Sequence, residues 1–289
     1  MKSEIIIAAL GALLTGCATQ APKHVLFVGM DGMSGRSFQE GVAAPNIRAL
    51  AERGSWTWRA RSILPASSAP NWASIFQCSG PELTGFVKWD TKEPVVPPPV
   101  TDANGRYPDF VARFRAANPS AKIGLAYEWD GIAHVLDTNA CNFVRQGDCT
   151  EAAVREYIGS ARPDLMVVIF DRPDHTGHSK GWESPEYRAE VTRLDGFLGE
   201  LLAAYGKAGM LDDTVVVVTS DHGGIDRKHE AATLNEMERP LVIAGPGIRR
   251  NREIGPGTLT TDTGATMARL LGVEPPATWT GRDIGEIFE

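Results

Sequence analysis

The chain has 289 residues, of which 43% are hydrophobic and 22% charged, ordinary proportions for one large globular domain with a full core. Its formal net charge of −7 leaves no basic excess for gripping a nucleic-acid polymer. A small anionic substrate is not excluded, because bound cations reverse the sign of a local site.

At the N-terminus Lys2 precedes a short apolar run, residues 5–14. It is too short to span a bilayer and suits the core of an export signal. Leu14-Thr15-Gly16-Cys17 resembles the cleavage box of bacterial lipoproteins. That resemblance implies a signal over residues 1–17, a lipid on Cys17 as membrane attachment, and residence in the periplasm or cell envelope. Residues 18–23 read as a linker and 24–289 as one domain.

The first strand is expected over residues 24–30. A helix follows over 47–53, opened by Ala44-Pro45-Asn46 and stopped by Gly54. Residues 55–64 alternate like a strand, and a second helix runs from Pro70 to about residue 76. The Pro-, Thr- and Asp-rich stretch 90–108 reads as a surface loop. Next come a helix over 108–117, a short buried strand over 122–127, a helix over 150–160 and a strand over 165–170. Apolar residues at helical spacing, Val191, Leu194, Leu198 and Leu201, mark a long helix over 185–207. Strands over 215–219 and 241–244 and a helix over 263–271 complete the chain. Strands alternating with helices predict a three-layer α/β/α sandwich around a mostly parallel sheet.

Of the cysteines beyond Cys17, Cys78 sits in an apolar stretch and reads as a buried hydrophobe. Cys141 and Cys149 lie in a polar loop, CNFVRQGDC, and a disulfide closing it into a short ring would contribute about 2–3 kcal/mol through loop entropy.

Three strands end in an aspartate set among glycines or histidines: Asp31-Gly32, Asp174-His175-Thr176-Gly177-His178 and Asp221-His222-Gly223-Gly224, with His229 a little further on. Ligands of open α/β sheets gather at the carboxyl ends of strands. Any one piece alone is an ordinary turn or a satisfied polar residue; the joint placement predicts a metal site. Carboxylate with imidazole suits zinc, manganese or iron better than calcium. Ser67 and Ser68 stand just before Pro70, where a serine caps a helix. The same place offers free N–H groups and the positive end of the helix dipole to an anion. With Ser67 as cap, Ser68 beside a cation becomes the candidate nucleophile.

These elements, in this order, resemble the alkaline phosphatase superfamily in its nucleotide pyrophosphatase/phosphodiesterase branch. The matching motifs are Asp31, Ser68-Ala69-Pro70-Asn71, Pro173-Asp174-His175-Thr176-Gly177-His178 and Asp221-His222-Gly223. The resemblance implies an alkaline phosphatase-like catalytic domain that holds two divalent ions, zinc first with manganese or iron as alternatives. One ion would be held by Asp174, His178 and His229, the other by Asp31, Asp221 and His222, with Ser68 between them. His175 and His24 are the rivals of His229. It further implies a phosphodiesterase-type hydrolase of small phosphoesters, with a sulfate ester or phosphonate hydrolase as the alternative. A non-catalytic lipid-anchored binding protein ranks below both.

Trp89 stands near the place where the branch carries a phosphate-binding asparagine. Stabilisation of the substrate oxygens is therefore assigned to Asn71, Lys88 or the Ser68 backbone N–H. Trp72, Trp89 and Trp129 are candidates for the pocket wall. Two divalent ions against three aspartates leave a site of about +1, which fits a singly charged diester or phosphonate. A formylglycine sulfatase needs Arg where this chain has Trp72, and no arginine cluster offers the second phosphate pocket of a mutase.

Overall fold

The structure is a computed structural model describing residues 22–102, 105–150 and 152–289. The expected signal and Cys17 lie outside the described residues. The first half of the chain runs β1 (His24–Met30), α1 (Gly35–Gln39), α2 (Pro45–Arg53), β2 (Ser55–Arg61), α3 (Ser68–Gln77), α4 (Pro81–Thr84), α5 (Phe110–Ala117), β3 (Ile123–Tyr127), α6 (Ile132–Val135) and β4 (Phe143–Gln146). The second half runs α7 (Ala152–Ala161), β5 (Leu165–Phe170), α8 (Asp174–Lys180), α9 (Pro185–Lys207), β6 (Thr214–Thr219), α10 (Leu234–Met237), β7 (Glu238–Ala244), β8 (Arg252–Glu253) and α11 (Thr260–Leu270).

The eight strands form one sheet in the order β4-β3-β5-β1-β6-β7-β2-β8. Only β7 runs against its neighbours. Strands β1, β5 and β6 are apolar almost throughout because both faces of the sheet are covered. Side chains alternate between the faces. Val25 and Phe27 join the core with Trp72 and Phe76 of α3, Phe110 of α5 and Met267 of α11. Leu26, Val28 and Met30 join the core with Ile47 of α2, Ile158 of α7 and Leu198 of α9. The architecture is thus the expected α/β/α sandwich. No helix among the described residues is long and apolar enough to cross a membrane.

Several boundaries differ from expectation. Strand β2 ends at Arg61, and β7 starts at Glu238 rather than at residue 241. Polar Glu238, Arg239 and Pro240 hid that extension; the Arg239 guanidinium is fully buried and bonded to Thr219 and Thr263. Helix α11 begins at Thr260, where Asp262 accepts from the Leu259 N–H at 2.9 Å.

The Cys141–Cys149 disulfide is not formed, and both thiols are free. The intervening segment is the edge strand β4, not a loop, and it separates the two thiols across the sheet. Cys141 packs on the core under α3, while Cys149 lies in the core under α9.

Candidate active site

The order β5-β1-β6 places three carboxyl ends side by side. Asp31 immediately follows β1, Asp221 lies just past β6, and Asp174 opens α8 shortly after β5. Backbone bonds tie the turns together: Asp31 N–H donates to Phe170 O and Asp174 N–H to Asp31 O, both at 2.9 Å. Gly32 N–H donates to Asp221 Oδ1 at 3.1 Å. Gly32 has φ +67°, and a Cβ there would lie 2.8 Å from that of Asp174, so only glycine lets these turns close. The Gly32 carbonyl accepts from Trp182 Nε1–H at 2.9 Å and Tyr187 O–H at 2.8 Å. Neither residue was singled out from sequence.

Two groups of ligand type result, Asp174 with His178 and His229, and Asp31 with Asp221 and His222. Within each, the candidate atoms lie within 4.8 Å of one another. Helix α8 brings Asp174 and His178 to one face by their spacing of four. The two groups adjoin, since the rings of His222 and His229 stack at 3.9 Å between centroids. His24, a rival for the sixth position, bonds Pro163 O at the far end of β1. His175 pairs instead with Asp171 at 3.0 Å on the cleft rim.

The chemistry of both groups fits a divalent cation. Each histidine Nδ1 faces a carbonyl oxygen: His222 that of Gly223 at 2.7 Å, His229 that of Ala66 at 2.8 Å and His178 that of Arg227 at 3.0 Å. A carbonyl only accepts, so each Nδ1 carries the proton and each Nε2 keeps its lone pair for a metal. The Nε2 atoms of His178 and His229 face each other at 3.1 Å, an arrangement of lone pairs that a cation would relieve. Asp174 Oδ1 and Asp221 Oδ2 are buried without a hydrogen-bond partner.

Electrostatics agree with that fit. Burial, then repulsion from Asp221 and Asp174, holds the Asp31 carboxyl well above the usual range, and burial does the same to Asp174. Asp221 is raised to about 7, again first by burial. Burial lowers His222 to about 4 and His229 to about 3. Close-packed carboxyls that resist ionising, with imidazoles that resist protonation, are a ligand set matched to positive charge from outside the chain.

Ser68 is the first residue of α3. Its Oγ lies 3.4 Å from Asp31 Oδ1 and 3.3 Å from His222 Nε2. Ser67 holds the N-cap position but makes no capping bond; its Oγ donates to Glu230 Oε1 at 3.3 Å. The first N–H groups of α3 thus have no side-chain cap beside Ser68, as an anion site requires.

Ser68 opens on a cleft of about 460 Å³ lined also by Asp174, His178, His229, Trp89, Trp129, Asp171, His175, Lys228 and Glu230. Three assignments change here. Asn71 is fully buried: its Oδ1 accepts from Ile63 N–H at 2.8 Å, and its amide donates to the carbonyls of Pro65 and Ser67, each at 3.0 Å. It braces the loop before α3 and has nothing left for a substrate. Lys88 is exposed and does not line the cleft; Lys228, beside His229, is the lysine that does. Trp72 is fully buried, so of the three tryptophans only Trp89 and Trp129 form walls.

A 2,3-bisphosphoglycerate-independent phosphoglycerate mutase of Natronomonas pharaonis is 31% identical over 146 residues, 48% of this chain and 27% of that protein. The chain spans about half or less of the length of the curated relatives it matches. Murine ectonucleotide pyrophosphatase/phosphodiesterase 5, in an inactive form in complex with AMP, superposes with a TM-score of 0.76 at 14% identity, covering 92% of this chain and 100% of that one. A phosphonate monoester hydrolase of Silicibacter pomeroyi superposes at 0.66 with 14% identity, covering 90% and 75%. At such identity these superpositions establish the fold. The model of the type I phosphodiesterase / nucleotide pyrophosphatase family matches residues 25–242, most of the domain, and the chain belongs to that family of the alkaline phosphatase superfamily.

Proposed function

We propose that the protein hydrolyses phosphoric esters with two divalent cations, zinc best suited to the donors, and with Ser68 as nucleophile. The observation that carries this reading is the contact of Ser68 Oγ with Asp31 and His222 of one ligand group, in a cleft that the other group also lines. Bound cations would lower the pKa of the Ser68 hydroxyl and offset charge on the phosphate oxygens. Ser68 Oγ bonds to phosphorus as one ester P–O bond breaks, and its proton ends on the leaving alcohol; water then cleaves the bond from phosphorus to Ser68, releasing the remaining phosphate monoester and returning a proton to Ser68. The uncapped N–H groups of α3 donate to the phosphate oxygens, and Trp89 and Trp129 flank the ester substituent.

A diester or other singly charged ester is the proposed substrate class. Four aspartates, Asp31, Asp171, Asp174 and Asp221, line or underlie the site together with Glu230, and among the described residues Lys228 but no arginine lines the cleft to balance a dianion. The same lack argues against mutase chemistry, which needs a second phosphate pocket. Trp72 in place of arginine argues against formylglycine-dependent sulfate hydrolysis.

The test is a panel of chromogenic phosphate monoester, phosphate diester, phosphonate and sulfate esters with zinc or manganese. Turnover of the diester is expected to lead, and Ser68→Ala to lower it by at least about 10³-fold with bound metal unchanged. Unchanged turnover in that variant would reject Ser68; a sulfate ester as the leading substrate would reject the phosphoric-ester class.

A further inference from the structure

We infer that Trp72 is a positioning residue of the metal site, holding Asp31 so that only one of its carboxylate oxygens faces the cation and Ser68. The inference rests on the two-cation reading above but goes beyond it. Trp72 lies four residues after Ser68 in α3, on the same face of that helix, and is fully buried. Its Nε1–H donates to Asp31 Oδ2 at 2.8 Å. Asp31 Oδ1 is turned the other way, 3.4 Å from Ser68 Oγ and 3.5 Å from His222 Nε2. The two oxygens of one carboxylate therefore have separate duties. The indole claims Oδ2, which leaves Oδ1 for the site.

The strand beneath is shaped for this contact. A Cβ on Gly29 would lie 2.4 Å from Trp72 Cη2 and 2.6 Å from Ile169 Cδ1. The missing side chain of β1 gives the indole its place against the sheet, two residues before Asp31. The bond also ties the helix that starts at Ser68 to the strand that ends at Asp31, so nucleophile and ligand are set by one element. Hydrogen bonds of this kind, which aim a ligand without touching the metal, typically govern metal affinity by about 10–100-fold.

The experiment is chelator-competed zinc titration of the full protein, paired with thermal unfolding of the metal-free form. Trp72→Phe keeps a ring and removes the donor. Replacement of Trp72 by benzothienylalanine keeps the bicyclic shape and exchanges N–H for sulfur, which serves if Trp72→Phe does not fold. The expected result is two binding steps in the wild type. In the variants one step should weaken about 10–100-fold and the other stay put. A purely structural tryptophan gives a different pattern: a lower unfolding temperature of the metal-free protein with both zinc affinities unchanged. That result overturns the inference and leaves the two-cation reading standing. A wild type that takes up no zinc, manganese or iron removes both.

Discussion

Replacing a metal ligand ordinarily weakens a metalloprotein, yet Asp221→Asn, at a proposed ligand, is expected to stabilise the metal-free form of this protein at pH 8. Burial lifts the Asp221 carboxyl from 3.8 to about 7. A carboxyl that holds its proton more tightly folded than unfolded lends stability at low pH. That contribution is lost as pH climbs from 3.8 through about 7. The shift of about three units, at about 1.36 kcal/mol each, amounts to a charge penalty of roughly 4 kcal/mol that is fully present by pH 8. Asparagine removes the charge and keeps the acceptor that Gly32 N–H uses. Its new NH₂ would occupy the place of Oδ2, which makes no hydrogen bond although His222 Nε2 lies 3.3 Å away, and a poorly met buried donor costs about 1–3 kcal/mol. The net gain is about 1–3 kcal/mol, or about 2–6 °C in Tm for a chain of this size. At pH 5 only the part of that penalty accrued between 3.8 and 5 is present, roughly 1.6 kcal/mol, which about cancels the donor cost, so the variant should be about level with the wild type. Differential scanning calorimetry of chelator-treated wild type and variant at pH 5 and pH 8, with and without added zinc, reads all four cases. Zinc should raise the wild-type Tm far more than that of the variant. A metal-free variant less stable than wild type at pH 8, or equal stabilisation of both by zinc, would refute the reasoning.

Trp129 lines the cleft with its indole over Gly131, where a Cβ would meet the ring at 2.1 Å. Trp129→Ala is expected to raise KM severalfold while lowering kcat by less than about twofold; equal losses in kcat and kcat/KM would contradict a binding role. For the N-terminus, the proposed lipid on Cys17 predicts that Cys17→Ser shifts the protein from the membrane to the soluble fraction and abolishes palmitate labelling. Membrane association that persists in the variant would remove the anchor.

The sheet was legible because burial on both faces demands unbroken apolar runs, and the runs at residues 25–30, 165–170 and 215–219 are the three central strands. Strand β4 was not legible. Its residues Phe143, Val144, Arg145 and Gln146 lie on the sheet edge, where half of each strand meets water and polar residues cost nothing. Reading that strand as loop is also what made the disulfide attractive, although the strand carries its flanking cysteines to opposite faces. Helix α8 escaped notice because seven residues containing Gly177 and two histidines carry no apolar stripe; it is held by bonds to its neighbours rather than by propensity.

The six ligand-type residues and Ser68 were readable because each is attached to a local feature, a strand end or a helix start, that constrains where it goes. The groups hydrogen-bonded behind them carry no such local mark. Trp72 reaches Asp31 across 41 positions of sequence and Trp182 reaches Gly32 across 150; from sequence the first reads as a pocket-wall candidate and the second as one more core aromatic. Asn71 shows the converse. It sits inside the motif that carries the proposed nucleophile, three residues from Ser68, yet every polar atom of its side chain turns inward to the loop that presents that serine. Proximity in sequence assigned it to the substrate, whereas hydrogen-bond satisfaction assigns it to the scaffold. A buried amide with four or more potential bonds has to meet them somewhere, and here the backbone of residues 63–67 meets them first. The same accounting runs the other way at Asp174 Oδ1 and Asp221 Oδ2, whose bonds the chain leaves unmade. At the sheet's carboxyl edge the proposed ligands Asp174 and Asp221 keep unmet valence, whereas the chain has already filled that of Asn71 and Trp182 behind them.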